Sequence, residues 1–181
     1  MESDLLQVLR AAEMASAWHV GQRRKGAAQE PYVNHLLEVA RMVGEATGGG
    51  DAGLVIAALL HDAIEDCDVS GVEIEAAFGA DVRALVEAVT DDKSLPKAVR
   101  KQAQIDLARG KTARAKLLKL ADKTSNLRAM AASPPVNWTV ERRLEYVAWA
   151  REVVAGVRGV HAGLEAAFDA AAAEAESAAS G

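Results

Sequence analysis

The chain has 181 residues, half of them apolar, with a net charge of −5 and a pI near 5.4. That length suits one core, and apolar residues with few aromatics (4% of the chain) favour packed helices over sheets. The acidic balance excludes a surface built to neutralise a nucleic-acid backbone, the single cysteine, Cys67, excludes an internal disulfide, and the longest apolar run, residues 52–60, is less than half of the ~20 residues a membrane span needs.

In chain order, helical spacing of apolar residues predicts a first helix over 5–20, ended by the basic, glycine-flanked loop 21–26. Pro31 precedes a second amphipathic stretch, 34–46, with Asn34 as its expected cap and Gly48-Gly49-Gly50 as its stop. The third helix starts near Asp51, is apolar nearly all round to His61-Asp62, and is expected to continue through Glu65-Asp66. Ser70 and Glu73 form a capping box that opens a fourth helix, closed by Phe78-Gly79. A fifth is expected over 81–90, a sixth from Pro96 to near Gly110, and a long seventh over 112–130. Ser133-Pro134-Pro135 forces a break before helices from Trp138 to about Val157 and after His161. The tail from about residue 171, poor in bulky side chains, is expected to fray. The expectation is one all-α domain over 1–181, a bundle of about eight to nine helices. With no secretory or transit-like segment ahead of the first helix, a cytoplasmic location is expected.

The polar end of the third helix needs a reason. An imidazole and a carboxylate side by side at the end of an apolar helix carry a desolvation cost of several kcal/mol, which a divalent cation removes. Neutral imidazole with carboxylate makes a borderline-hard site, suited to manganese, iron or zinc rather than calcium. Adjacent helical residues diverge by about 100°, so His61 and Asp62 hold only one corner, and His35 and Asp122 are the candidates for the rest. Such a set leaves positions open for water, the ingredient of a hydrolase. Glu65 and Asp66 stand four residues beyond His61 and Asp62, one turn on if the helix continues, as an acidic pair for general acid–base work. Arg23-Arg24-Lys25 is the densest basic cluster and suits a phosphate chain; Asn126 lies one turn after Asp122; Lys97, Trp138, Arg142 and Tyr146 are weaker candidates. His19 and His161 lack acidic neighbours in matching positions and are expected to be structural.

The ordered series Trp18–Lys25, Pro31-Tyr32-Val33-Asn34-His35, Ala57–Asp66, Phe78-Gly79, Val89–Lys93 and Lys116–Lys123 with Asn126-Leu127-Arg128 resembles the HD-domain superfamily. Within it, the hydrolase domain of RelA/SpoT-type alarmone enzymes, including the stand-alone small alarmone hydrolases, is most similar. The resemblance implies manganese-dependent removal of the 3′-pyrophosphate from guanosine tetraphosphate or pentaphosphate, without alarmone synthesis. It implies His35, His61, Asp62 and Asp122 as metal ligands, and Glu65 and Asp66 as the catalytic acids. Arg24, Lys25, Asn126, Tyr146, Lys97 and Arg142 would be the nucleotide contacts. Cys67 and Ser125 depart from the family's usual threonine and bulky residue. Two other functions compete: hydrolysis of another nucleotide such as NADPH, or alarmone binding without catalysis.

Overall fold

The computed structural model describes residues 2–180, and the regular secondary structure among them is helical, with two isolated β-bridges beside it. Nine helices have two turns or more: α1 (Asp4–Trp18), α2 (Val33–Ala46), α3 (Ala52–Leu60), α5 (Gly71–Phe78), α6 (Ala80–Val89), α7 (Lys97–Ala108), α8 (Ala113–Ala132), α9 (Val140–Ala155) and α10 (Ala162–Ser180). Between α3 and α5 lies α4 (Ala63–Asp66), a single turn.

The apolar α3 is central, as an all-round hydrophobic helix must be: Leu54, Ile56, Ala57, Ala58, Leu59 and Leu60 are all buried. It packs against α1, α2, α6 and α8. The other interior helix is α8, whose residues from Leu117 through Ser125 are buried, charged ones included. Asp51 caps α3 by accepting the Leu54 amide at 3.0 Å and also takes two donors of Arg114, whose remaining nitrogen reaches Asp81 at 2.8 Å. One guanidinium thus ties together the starts of α3, α6 and α8, which orients the two interior helices against each other. The capping box at Ser70 and Glu73 forms with both reciprocal bonds, so α5 begins where the sequence places it.

Three expectations are corrected. The third helix does not run through to Asp66. The His61 ring Nδ1 donates to the Ala58 carbonyl at 2.8 Å, competing for an acceptor that the continuing helix needs, and the chain turns at His61-Asp62 before α4 resumes. The second helix starts at Val33 without a side-chain cap, so Asn34 lies inside the helix rather than at its cap. The alanine-rich tail does not fray: α10 continues to Ser180, with Ala171, Ala172 and Ala175 buried where it packs on α8 and α9. Small side chains there allow close helix contact, which an estimate from bulk alone overlooks.

The basic loop is clipped to the turn after α8. Gly26 pairs with Pro135, and the Ala28 amide donates to Ser133 Oγ at 2.9 Å. A Cβ on Gly26 would overlap the carbonyl and side chain of Ser133. Gly26→Ala is therefore expected to cost about 1–3 kcal/mol through forced displacement of the loop. It should also raise KM for a phosphorylated substrate more than it lowers kcat, as steady-state kinetics beside thermal unfolding will show.

Candidate active site

Four side chains from three distant stretches converge where α2, the α3–α4 corner and α8 meet. The Nε2 atoms of His35 and His61 lie 3.7 and 3.2 Å from Asp62 Oδ2, and 3.5 and 3.8 Å from Asp122 Oδ1. His35 and His61 are almost fully buried, and their rings meet edge to face at 5.2 Å. The ring orientations follow from what holds the opposite nitrogens. His35 Nδ1 donates to Ser125 Oγ at 2.8 Å; that hydroxyl donates to Glu38 at 2.6 Å, and Arg128 donates to Glu38 at 3.0 Å. His61 Nδ1 is spent on the Ala58 carbonyl, so in the neutral form of both rings Nε2 carries the lone pair and is aimed inward.

The fit of this cluster to a divalent ion rests on one atom. His61 Nε2 is buried and has no partner with hydrogen-bond geometry, although two carboxylate oxygens lie within 4 Å. A buried acceptor without a donor is costly, and an ion shared with Asp62 and Asp122 would satisfy it. His35, His61 and Asp62 can each offer one ligand atom within 4.8 Å of the others. Burial alone would lower His61, but the Asp62 and Asp122 carboxylates push its pKa up to about 10. His35, more dominated by burial, is lowered. Against the same burial, His61 pulls Asp62 down, and Lys123 with both imidazoles pulls Asp122 down.

Glu65 and Asp66 line the same cavity, of about 150 Å³, as His61, Asp62 and Asp122. The break before α4 does not turn them away, because the Asp66 amide still bonds the Asp62 carbonyl at 2.8 Å. Glu65 accepts the Asp91 amide at 3.3 Å and lies 3.8 Å from Arg100. Burial first, and the Asp91 carboxylate second, raise its pKa. Asp66 is more exposed and is paired with Lys93.

A second cavity, of about 210 Å³, adjoins the first: Tyr32 and Asn126 border both. Arg24, Lys25 and Tyr146 line it, together with Met130 and Trp138. Basic groups together with flat and apolar ones in one cavity can hold the phosphates and the base of a nucleotide. Lys97 and Arg142 line neither cavity. Lys97 is exposed at the start of α7, and the Arg142 guanidinium lies 4.6 Å over the Trp138 ring. His19 is buried, with Nδ1 2.7 Å from Gln22, and His161 accepts the Leu164 amide at the start of α10, both as structural residues.

Sequence reasoning missed several participants. Tyr32 donates to Asp62 Oδ2 at 2.7 Å, stacks on His19 and lies beneath Arg24, so its pKa is raised by burial and Asp62. Lys123 donates to Asp122 Oδ2 at 3.1 Å from a buried position 4.6 Å over the Trp149 ring. Lys119, likewise buried, has its pKa pulled down to about 8 by burial and by Lys123. The available signal for both lysines was spacing: Lys119, Asp122, Lys123 and Asn126 fall on one helix face. Ser125, noted only as a departure from a family pattern, supplies the bond that orients His35.

The HD domain profile matches residues 11–151. Guanosine-3′,5′-bis(diphosphate) 3′-pyrophosphohydrolase MESH1 of Xenopus tropicalis is 47% identical over 169 residues, covering 93% of this chain and 94% of that one. The Homo sapiens protein of the same name is 46% identical over 168 residues, with the same coverage. A solved structure described as a metazoan ortholog of SpoT that hydrolyzes ppGpp superposes with a TM-score of 0.88 at 44% identity, covering 91% of this chain and 93% of that one. With its histidine and aspartate cluster inside the matched span, this chain belongs to the HD-domain family.

Proposed function

We propose that the chain removes the 3′-pyrophosphate of guanosine tetraphosphate or pentaphosphate, yielding GDP or GTP and pyrophosphate, with a divalent ion held by His35, His61, Asp62 and Asp122. The observation that carries the chemistry is the orphaned Nε2 of His61 facing two carboxylates. The substrate follows from near full-length similarity to proteins named for that reaction. Neutral imidazole and carboxylate donors suit manganese. When bound, such an ion lowers the pKa of a water and draws charge from the phosphoryl group.

The chain's own residues supply the rest. Arg24 and Lys25 hold the nucleotide's remaining phosphates, Tyr146 and Asn126 border the base and sugar, and the 3′-diphosphate enters the smaller cavity. Glu65, with its pKa raised toward neutrality, takes a proton from the attacking water. Asp66, steadied by Lys93, orients that water. The bond between the 3′-oxygen and phosphorus breaks as the water oxygen bonds phosphorus, and the departing 3′-oxygen takes up the balancing proton. The test is incubation of purified protein with guanosine tetraphosphate, with manganese or with chelator. Pyrophosphate and GDP are expected only with the ion, and unchanged turnover after chelation rules the mechanism out.

Ion binding should also be linked to pH. The folded pKa of His61, about 10 without an ion, lies above the ordinary 6.5. The proton's stabilising effect is therefore complete below pH 6.5 and lost as pH rises through about 10. An ion must displace that proton, so apparent affinity should rise about tenfold per pH unit between these limits, with about one proton released per ion. Calorimetry in buffers of different ionisation heat measures that number, and a value near zero removes His61 from the ligand set.

A further inference from the structure

Lysine is among the residues least often buried without a charged partner. Two lysines nonetheless line the smaller cavity, both on α8 and both nearly inaccessible, Lys119 at 6% and Lys123 at 4% exposure. Their surroundings differ. Lys123 is committed, bonded to Asp122 and seated over Trp149. The hydrogen-bond partner of Lys119 among the described residues is the Val89 carbonyl, a neutral acceptor at 3.2 Å, and no carboxylate lies within ion-pair distance of its ammonium. Three donors serve one acceptor, on the wall of a cavity.

Most other charges of the cavity have partners, and Asp91, on the same wall as Glu65, accepts the neutral Gln104 amide at 2.5 Å. Asp66 is paired with Lys93, Glu65 lies near Arg100, and Asp62 and Asp122 face the imidazoles. Lys119 stands three residues before Asp122 and seven before Asn126, so it shares their helix face. The Val89 carbonyl, at the end of α6, accepts from the Lys119 Nζ itself and holds the ammonium in place, leaving its other two donors without a protein acceptor among the described residues.

We propose that Lys119 is a further catalytic residue whose ammonium contacts the diphosphate group itself, holding the phosphoryl oxygens as the 3′-oxygen leaves. This rests on the proposed pyrophosphohydrolase activity, and it assigns the diphosphate to Lys119 as distinct from the loop cations Arg24 and Lys25, which hold the rest of the nucleotide. A merely structural lysine, pinning α6 to α8, would show no preference between ligands that carry a free diphosphate in this cavity and ligands that do not.

The experiment compares wild-type protein and Lys119→Met, both loaded with manganese, in calorimetric titrations with inorganic pyrophosphate and separately with GDP. Thermal unfolding serves as the fold check. Pyrophosphate binding is expected to weaken at least about tenfold while GDP binding stays within about twofold, and kcat to fall by about 10²–10³. Equal weakening of both ligands, or no change in pyrophosphate binding, overturns the assignment. Should the methionine variant not fold, Lys119→Gln carries the same comparison, because its amide can still donate to the Val89 carbonyl but lacks the charge. Failure of the activity itself is separately visible: wild-type protein would then bind pyrophosphate yet release none from guanosine tetraphosphate.

Discussion

Asp122→Asn is expected to lose at least about a thousandfold in turnover, along with the bound ion, while also destabilising the fold. The substitution removes one charge that serves several partners. Asp122 Oδ1 faces both imidazole Nε2 atoms and accepts the Asn126 amide at 2.6 Å, and Oδ2 accepts Lys123. An amide is nearly isosteric but supplies no anion, so the ion loses a ligand. The Lys123 ammonium is left buried without its counter-charge, a loss of about 3–5 kcal/mol for a broken buried pair. Elemental analysis of the purified variant, a turnover assay and denaturant unfolding read the three effects separately. Full metal content with wild-type turnover would falsify the ligand assignment.

Glu65→Gln should separate activity from stability. The Glu65 carboxyl is disfavoured in its ionised form by burial and by Asp91, so its folded pKa is raised above the unfolded value. For an acid this sign means that ionisation at neutral pH works against the fold, and the neutral amide relieves that opposition. The variant is expected to unfold at an equal or higher temperature than wild type while kcat drops by about 10²–10⁴. The acid limb of the wild-type pH profile should lie above the ordinary carboxylate range and vanish in the variant. An active Glu65→Gln enzyme would leave the water without its base and point to Asp66 instead.

Much of the architecture can be read from local signals because the causes are local. The run over 52–60 is apolar on every side and has to be central, Ser70 and Glu73 satisfy each other's backbone amides, and Pro134-Pro135 cannot continue a helix. The break at His61-Asp62 escapes such reasoning: Ala63 and Ile64 prolong the apolar pattern, and what stops the helix is a ring nitrogen competing for a carbonyl. The site divides in the same way. Histidines and aspartates at unusual places can be singled out by desolvation cost. Tyr32, Glu38, Ser125 and Lys119 owe their parts to partners 30 or more residues distant, and Lys123 owes its seat to the Trp149 ring on another helix. Lys97 and Arg142, expected as contacts from the resemblance, line neither cavity.

Tyr32 gives one phenol two employers. Its ring, just ahead of α2, stacks on His19 and lies near the Arg24 guanidinium, and its hydroxyl donates to Asp62. On the proposed assignment, an ill-fitting guest that disturbs Arg24 would reach the Asp62 carboxylate through this hydroxyl. Selectivity would then be exercised in the speed of the chemical step as well as in the strength of docking.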